Sequence, residues 1–243
     1  MIDADGFFGE KVAEKYDIPN DPQFDPAVVA RTADVLADLA GRGGRALEFA
    51  IGTGRVAVPL AERGVEVHGI DMSRAMLARL RPKPGAERIG ATVGDFTTTR
   101  VDGEFDLVYL VFNTIMNVTT QQGQVAAFRN AAAHLRPGGR FLVEVMIPEL
   151  RKLPPGQTAV PFTVTPTTLG FDTYEPATQA MASVHVVDGE ISRIPFRYVW
   201  PAELDLMAQL AGMELEHRWE SWSRAPFRDE SESHISTWIR PTM

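Results

Sequence analysis

Leu47-Glu48-Phe49-Ala50-Ile51-Gly52-Thr53-Gly54-Arg55 decides the fold. It reads as a buried strand that carries one acid and runs into a glycine-rich turn. A helix pattern follows in Val56, Val58, Leu60 and Ala61, closed by Gly64. Val65-Glu66-Val67-His68-Gly69-Ile70 then reads as a second strand, with Asp71 at its tip. Strand, glycine turn, helix and strand make the front half of a nucleotide-binding βαβ unit. Glycine lets the backbone turn tightly and come close to a ligand, and an acid at the second strand's tip can accept hydrogen bonds from ribose hydroxyls.

Two ligand classes use that layout. Gly52, Gly54 and Ala57 satisfy a loose dinucleotide fingerprint, and Asp71 follows at a spacing that suits either class. Glu48 separates them, because a carboxylate ahead of the glycines repels a pyrophosphate and attracts a cation. The sulfonium and ammonium groups of S-adenosylmethionine are such cations. Pro59, early in the helix, removes an amide donor that a phosphate would use.

The later segments continue the alternation of strand and helix. Residues 89–93 form a third strand leading into Gly94-Asp95-Phe96, whose acid and ring can take an adenine's amino group and face. Residues 105–111 form a fourth strand, followed by Phe112-Asn113-Thr114-Ile115-Met116-Asn117. The pattern predicts a helix over 124–135, stopped by Arg136-Pro137-Gly138-Gly139, and a fifth strand over 140–146.

Taken in order, residues 47–54, 69–73, 94–96, 105–117 and 135–144 resemble the class I S-adenosylmethionine-dependent methyltransferases. Tyr16-Asp17, Arg31-Thr32 and the pair Asn113 and Asn117 bring the likeness closest to the small-molecule branch. The resemblance implies an α/β fold: a Rossmann-like, doubly wound, seven-stranded sheet with an antiparallel β lid after strand five. It implies S-adenosylmethionine as cofactor, held by Tyr16, Arg31, Glu48, Ala50, Gly52, Thr53, Gly54, Asp71, Met72, Asp95, Phe96, Val111 and Asn117. Tyr16 would cover the cofactor, and Arg31 would meet its carboxylate. Two alternatives stay open: an NAD(P)-dependent oxidoreductase on the same half-fold, and a protein that keeps the fold without methylating.

Four regions follow. Residues 1–42 read as a helical cap around a Pro/Asp-rich break, with Asp25-Pro26 opening a helix that Gly41 ends. Residues 43–147 are the cofactor-binding core. Residues 148–200 are the insert: 150–168 is rich in Pro and Thr without helical period, and 179–187 and 190–198 are strand-like around Asp188-Gly189, a strong hairpin signal. Residues 201–243 give a last helix, with Leu204, Met207, Leu210 and Ala211 on one face, and a closing hairpin.

The chain has 243 residues, a formal charge of −8 and no cysteine. The charge disfavours nucleic acid, which is held mainly by Lys and Arg on phosphates. The basic residues Arg74, Arg79, Arg81, Lys83 and Arg88 read as a solvated face. Without cysteine there is no disulfide, thiolate nucleophile or cysteine-held metal, and no metal is expected. The acidic start, Met1-Ile2-Asp3-Ala4-Asp5, is unlike a signal peptide, and no apolar run is long enough to span a bilayer; the absence of cysteine favours the cytosol, so a cytoplasmic protein is expected.

Methyl transfer from a sulfonium depends mainly on holding donor and acceptor in line, so no catalytic residue is obligatory. Candidate bases are Glu144, His185 and His234; His68 and His134 read as structural. A small-molecule acceptor is expected, with Asn113, Tyr198, Trp200 and Trp222 as its contacts.

Overall fold

The computed structural model describes residues 6–17 and 24–242. The acidic start at residues 1–5 and most of the Pro/Asp-rich break, residues 18–23, lie outside the described residues. Among the described residues, no helix is long and apolar enough to cross a membrane, and no group of three or more His, Asp and Glu side chains could hold a metal ion.

Helix α1 spans Glu10–Tyr16 and α2 spans Pro26–Ala40. Helix α2 starts as its sequence dictates: the Asp25 carboxylate accepts from the Ala27 amide at 2.7 Å, and Pro26 occupies the first turn. The core alternates β1 (Arg45–Phe49), α3 (Ala57–Glu62), β2 (Glu66–Asp71), α4 (Arg74–Leu80), β3 (Gly90–Val93), β4 (Phe105–Leu110), α5 (Gln121–His134) and β5 (Leu135–Met146). The insert supplies β6 (Ala159–Val164), β7 (Thr168–Glu175), β8 (Ala180–Val187) and β9 (Glu190–Arg197). Helix α6 (Pro201–Leu210), β10 (Glu214–Trp219) and β11 (Ser233–Ile239) complete the chain.

The main sheet has seven strands in the order β10-β11-β5-β4-β1-β2-β3. Strands β1 to β5 pair in parallel, and β11 lies antiparallel to both β5 and β10. Strand order reverses between β1 and β4, the place where such sheets open a crevice at their carboxyl ends. One face of the sheet buries Leu47, Phe49, Phe141 and Trp238 with Phe128 of α5. The other buries Ala46, Leu107 and Tyr109 with Leu36 of α2 and Leu60 of α3. Near-continuous burial along β1 and β4 is what a parallel sheet covered on both sides requires.

Two sequence expectations need correction. Helix α5 begins at Gln121, where the Thr120 hydroxyl accepts from the Gly123 amide, and β5 pairs from Leu135 onward. Its register passes from Phe105–Leu135 to Leu107–Arg140, so Arg136-Pro137-Gly138-Gly139 bows out within the strand, with Gly138 at φ 79°. Leu210 of α6 is 61% exposed, and the buried face is Leu204, Met207 and Ala208.

The insert is antiparallel, as expected, and it has four strands, β6-β7-β8-β9, because the Pro/Thr-rich stretch 150–168 adds β6 and the start of β7 to the β8–β9 hairpin. Pro161, inside β6, breaks the β signal there, and it fits because β6 is an edge strand; β9, the other edge, carries Pro195. The β8–β9 hairpin turns at Asp188 (φ 50°) and Gly189 (φ 84°), the pair of left-handed residues that its sequence announces. At its root, buried Arg197 bonds Glu203 of α6 at 2.7 Å and Gln179 at 2.9 Å, and it also donates to Gln124 of α5. This charged network helps fasten the insert to the core, alongside Val160, Tyr174 and Met181, which join the main apolar cluster.

Candidate functional site

At the carboxyl ends of β1, β2 and β4 lie two abutting cavities, of about 100 and 30 Å³, that share Tyr16, Ala50, Gly52 and Thr114. The turn after β1 forms their floor. Ala50, Gly52 and Gly54 all have positive φ, at 55°, 57° and 76°. A Cβ at Gly54 would stand 2.3 Å from Leu80 Cδ1 of α4, so a side chain there would, beyond the strain of the positive φ, make the Leu80 tip shift.

Asp71 lines the larger cavity and is nearly buried. Its two oxygens accept from the Gly52 amide at 2.7 Å and the Ser73 amide at 2.8 Å. Beside the ribose role expected for it, Asp71 thus braces the glycine turn. A carboxylate has about four acceptor positions, so ribose hydroxyls can still be accommodated. Met72, half exposed, Asp95 and Phe96 line the same cavity. Asp95 caps its own loop by accepting from the Thr97 amide at 2.8 Å, and Phe96 stacks on Phe49 with ring centres 5.4 Å apart. Asn130 holds this loop by donating to the carbonyls of Phe96 and Thr99. Asn117, in the short helical turn Thr114–Asn117 after β4, faces the larger cavity too.

Residues 6–17 close the site from above. Phe8 and Tyr16 line the larger cavity, and their rings meet edge to face. Burial pushes the Tyr16 phenol up to about 12, so it remains a hydrogen-bond donor at neutral pH. The Thr53 hydroxyl donates to Asp17 at 2.6 Å, Lys83 pairs with Asp17 at 2.7 Å, and the Ser73 hydroxyl donates to the Phe8 carbonyl. Thr53→Val is expected to cost about 1 kcal/mol, the usual net value of one hydrogen bond, and to speed amide exchange over residues 10–17. Unchanged exchange there would show that Thr53 does not fasten α1.

The smaller cavity is charged. Glu48 is buried at its wall and accepts from the Tyr109 hydroxyl at 2.8 Å. Burial, only partly offset by Tyr109 and Arg55, pushes its carboxyl up to about 8. Arg55 lines the same cavity, its guanidinium 5.3 Å from the centre of the Phe24 ring and 5.1 Å from that of Phe112. Val111 completes this end. An acid that ionises readily only beside a cation, next to an arginine, fits an amino-acid group with both signs of charge.

Arg31 sits on the exposed flank of α2 and lines neither cavity, because Thr32, Ala33, Val35 and Leu36 take the buried face. Arg55 lines the smaller cavity; its signal stood in the opening string, as the first cation after Gly54. Phe8, Met76 and Thr114 also line the site, and no pattern in the sequence singled them out.

The expected acceptor contacts lie elsewhere. Asn113 (φ 59°) accepts from the Met146 amide at 2.7 Å and ties β4 to β5. Tyr198 is buried against Tyr174 and Trp200, and Trp200 precedes α6 with 38% exposure. Trp222 donates to Glu144 at 2.7 Å, and Glu144 accepts from the Phe112 amide at 3.0 Å. His185 meets Ser183 and the Phe162 ring on the insert. His234 is sealed against Phe227 and Ser236, and burial drops it to about 3, so it stays neutral. None of these side chains lines either cavity.

Comparison with known proteins agrees with this geometry. A methyltransferase domain model matches residues 46–139, the stretch from β1 into the bow of β5. The cypemycin N-terminal methyltransferase of a Streptomyces species is 28% identical over 92% of this chain and 94% of its own length. The solved structure of an S-adenosylmethionine-dependent methyltransferase from Clostridium acetobutylicum shares the fold, with TM-score 0.75 at 15% identity over 96% of this chain and 98% of that one. The structure of the CcbJ methyltransferase from Streptomyces caelestis superposes with TM-score 0.83 at 32% identity, covering 97% of this chain and 98% of that one. Identity at that level along both whole chains, on a sheet that places Glu48, Asp71 and Asp95 around one crevice, makes this chain a member of the class I S-adenosylmethionine-dependent methyltransferases.

Proposed function

We propose that this methyltransferase methylates an amine nitrogen of a small molecule. The observation that carries the reading is the lining of the crevice. Among the described residues, neither cavity presents a histidine, and its titratable side chains are the carboxylic acids Glu48, Asp71 and Asp95, with Tyr16 and Arg55. An amine reaches its free-base form by giving a proton to water and then attacks through its own lone pair, whereas an alcohol must lose its proton to a base as it attacks. The name of the cypemycin relative, an N-terminal methyltransferase, supports the same atom type.

The cofactor supplies a methyl group already activated on a sulfonium. Glu48 and Arg55 would bind its amino-acid end, Asp71 its ribose, and Asp95 with Phe96 its adenine. Tyr16 and Phe8 would cover it and exclude water. Residues 148–200 would act as a lid over the methyl end. Strand β9 packs on the Thr114–Asn117 turn, and the Gln124 amide bonds both the Ile115 and Arg197 carbonyls, which joins lid to crevice.

The test is a panel of small amines and their hydroxyl counterparts, incubated with enzyme and cofactor and read by product mass. Transfer to amines and not to the matched alcohols is expected. Turnover of the alcohols alone would overturn the amine reading.

A further inference from the structure

We propose that Glu144 and Trp222 are positioning residues that set the cofactor's amino-acid end by holding the slot in which Arg55 lies. This rests on the reading of the smaller cavity as the place of that group. The two side chains come from distant segments. Glu144 stands near the end of β5, and Trp222 belongs to the β10–β11 connection, residues 220–232. Within that connection Ser231 donates to Glu220 at 2.8 Å, and Arg224 pairs with Asp38 of α2 at 3.0 Å.

Glu144 spends both oxygens on fixed donors: the Trp222 indole at 2.7 Å and the Phe112 amide at 3.0 Å. Phe112 needs holding. It and Asn113 adopt consecutive left-handed conformations, φ 62° and 59°, which bulky residues avoid unless their surroundings impose them. The Phe112 ring forms one wall of the Arg55 slot, at 5.1 Å, and the Phe24 ring stands at 5.3 Å. Trp222 thus orients Glu144, Glu144 pins the Phe112 backbone, and Phe112 sets where the guanidinium faces Glu48. Neither Glu144 nor Trp222 lines the cavity, so their effect passes through the slot. The pair was expected to act as a base and an acceptor contact; their bonds to each other and to Phe112 support the positioning role instead.

Two ligands separate this role from general support of the fold. S-adenosylhomocysteine carries the amino-acid group, and 5′-methylthioadenosine carries the same adenosine and sulfur without it. Trp222→Phe keeps the ring and removes the donor. Glu144→Gln leaves one acceptor oxygen for two N–H donors. In calorimetric titrations, each variant should bind S-adenosylhomocysteine about tenfold more weakly and 5′-methylthioadenosine within about twofold of the parent. Equal losses for both ligands, or no loss for either, would overturn the proposal. A parent protein that binds neither ligand would instead refute the assignment of the crevice to the cofactor. If Trp222→Phe does not fold, Glu144→Gln alone decides, because it is close to isosteric.

Discussion

Glu48→Gln is expected to weaken S-adenosylmethionine binding by about 10- to 100-fold, the worth of one charge-assisted contact in a desolvated site. The same substitution should abolish a pH dependence that the parent shows. In the ligand-free protein, burial pushes Glu48 up to about 8, so at pH 6 it carries a proton. A cationic ligand favours the ionised form, so binding releases that proton. Affinity should therefore climb from pH 6 toward about pH 8, by at most about tenfold per unit, and decline above as the ligand's own α-ammonium, ordinarily near about 8, loses its proton. Calorimetry in buffers of differing ionisation heat reads the proton directly. A parent profile that is flat between pH 6 and 8, or a Gln variant that keeps the slope, would remove Glu48 from the cation's side.

The ligand-free fold responds with the opposite slope. The native carboxyl titrates near 8 against an ordinary value of 4.5, so its contribution to stability is full below the ordinary value. It is lost as pH rises through about 8. Thermal melts of the parent should fall across that window relative to Glu48→Gln, which has no proton to lose.

Asp71→Ala is expected to lower the melting temperature on the order of 10 °C and cofactor affinity about 100-fold. Two backbone amides, Gly52 and Ser73, lose a charged acceptor in a nearly buried place. The combined cost is about 3 kcal/mol, and about 2–4 °C accompanies each kcal/mol in a chain of this length. Asp71→Asn separates the two roles, because its one remaining oxygen can serve one amide. A milder melting shift than that of the Ala variant, with a comparable loss of affinity, is expected. Tight cofactor binding by a folded Ala variant would show that Asp71 braces the turn and nothing else.

Glu48, Gly52, Gly54 and Asp71 were legible because their tasks are local. A turn that needs positive φ, and acids at two strand tips, write themselves into a short string. Arg55 was legible in that same string, yet Arg31 was preferred through resemblance, and only packing shows that Arg31 faces outward while Arg55 lies against two rings. Trp222 and Glu144 were singled out as chemistry-bearing types. Their partnership spans 78 positions and passes through a backbone amide, which no pattern of residue types records. Strand β6 was hidden for a different reason. Its proline argues against any strand, and only its place at an edge, settled by the pairing with β7, makes that proline tolerable.

That edge has a consequence for the behaviour of the protein at high concentration. The insert projects a small open sheet whose tip carries Val164, Leu169 and Ile191 at 72%, 39% and 75% exposure. Open strands with apolar side chains ordinarily recruit strands from other chains and seed cross-β growth. Here Pro161 and Pro195 each delete an amide from one of the two rims, and a bulge between Pro161 and Thr163 disturbs the first of them. A foreign strand approaching either side finds a gap in the row of donors it would have to copy. The sheet can stay greasy at its tip and open at both sides, yet it is a poor template for fibrils.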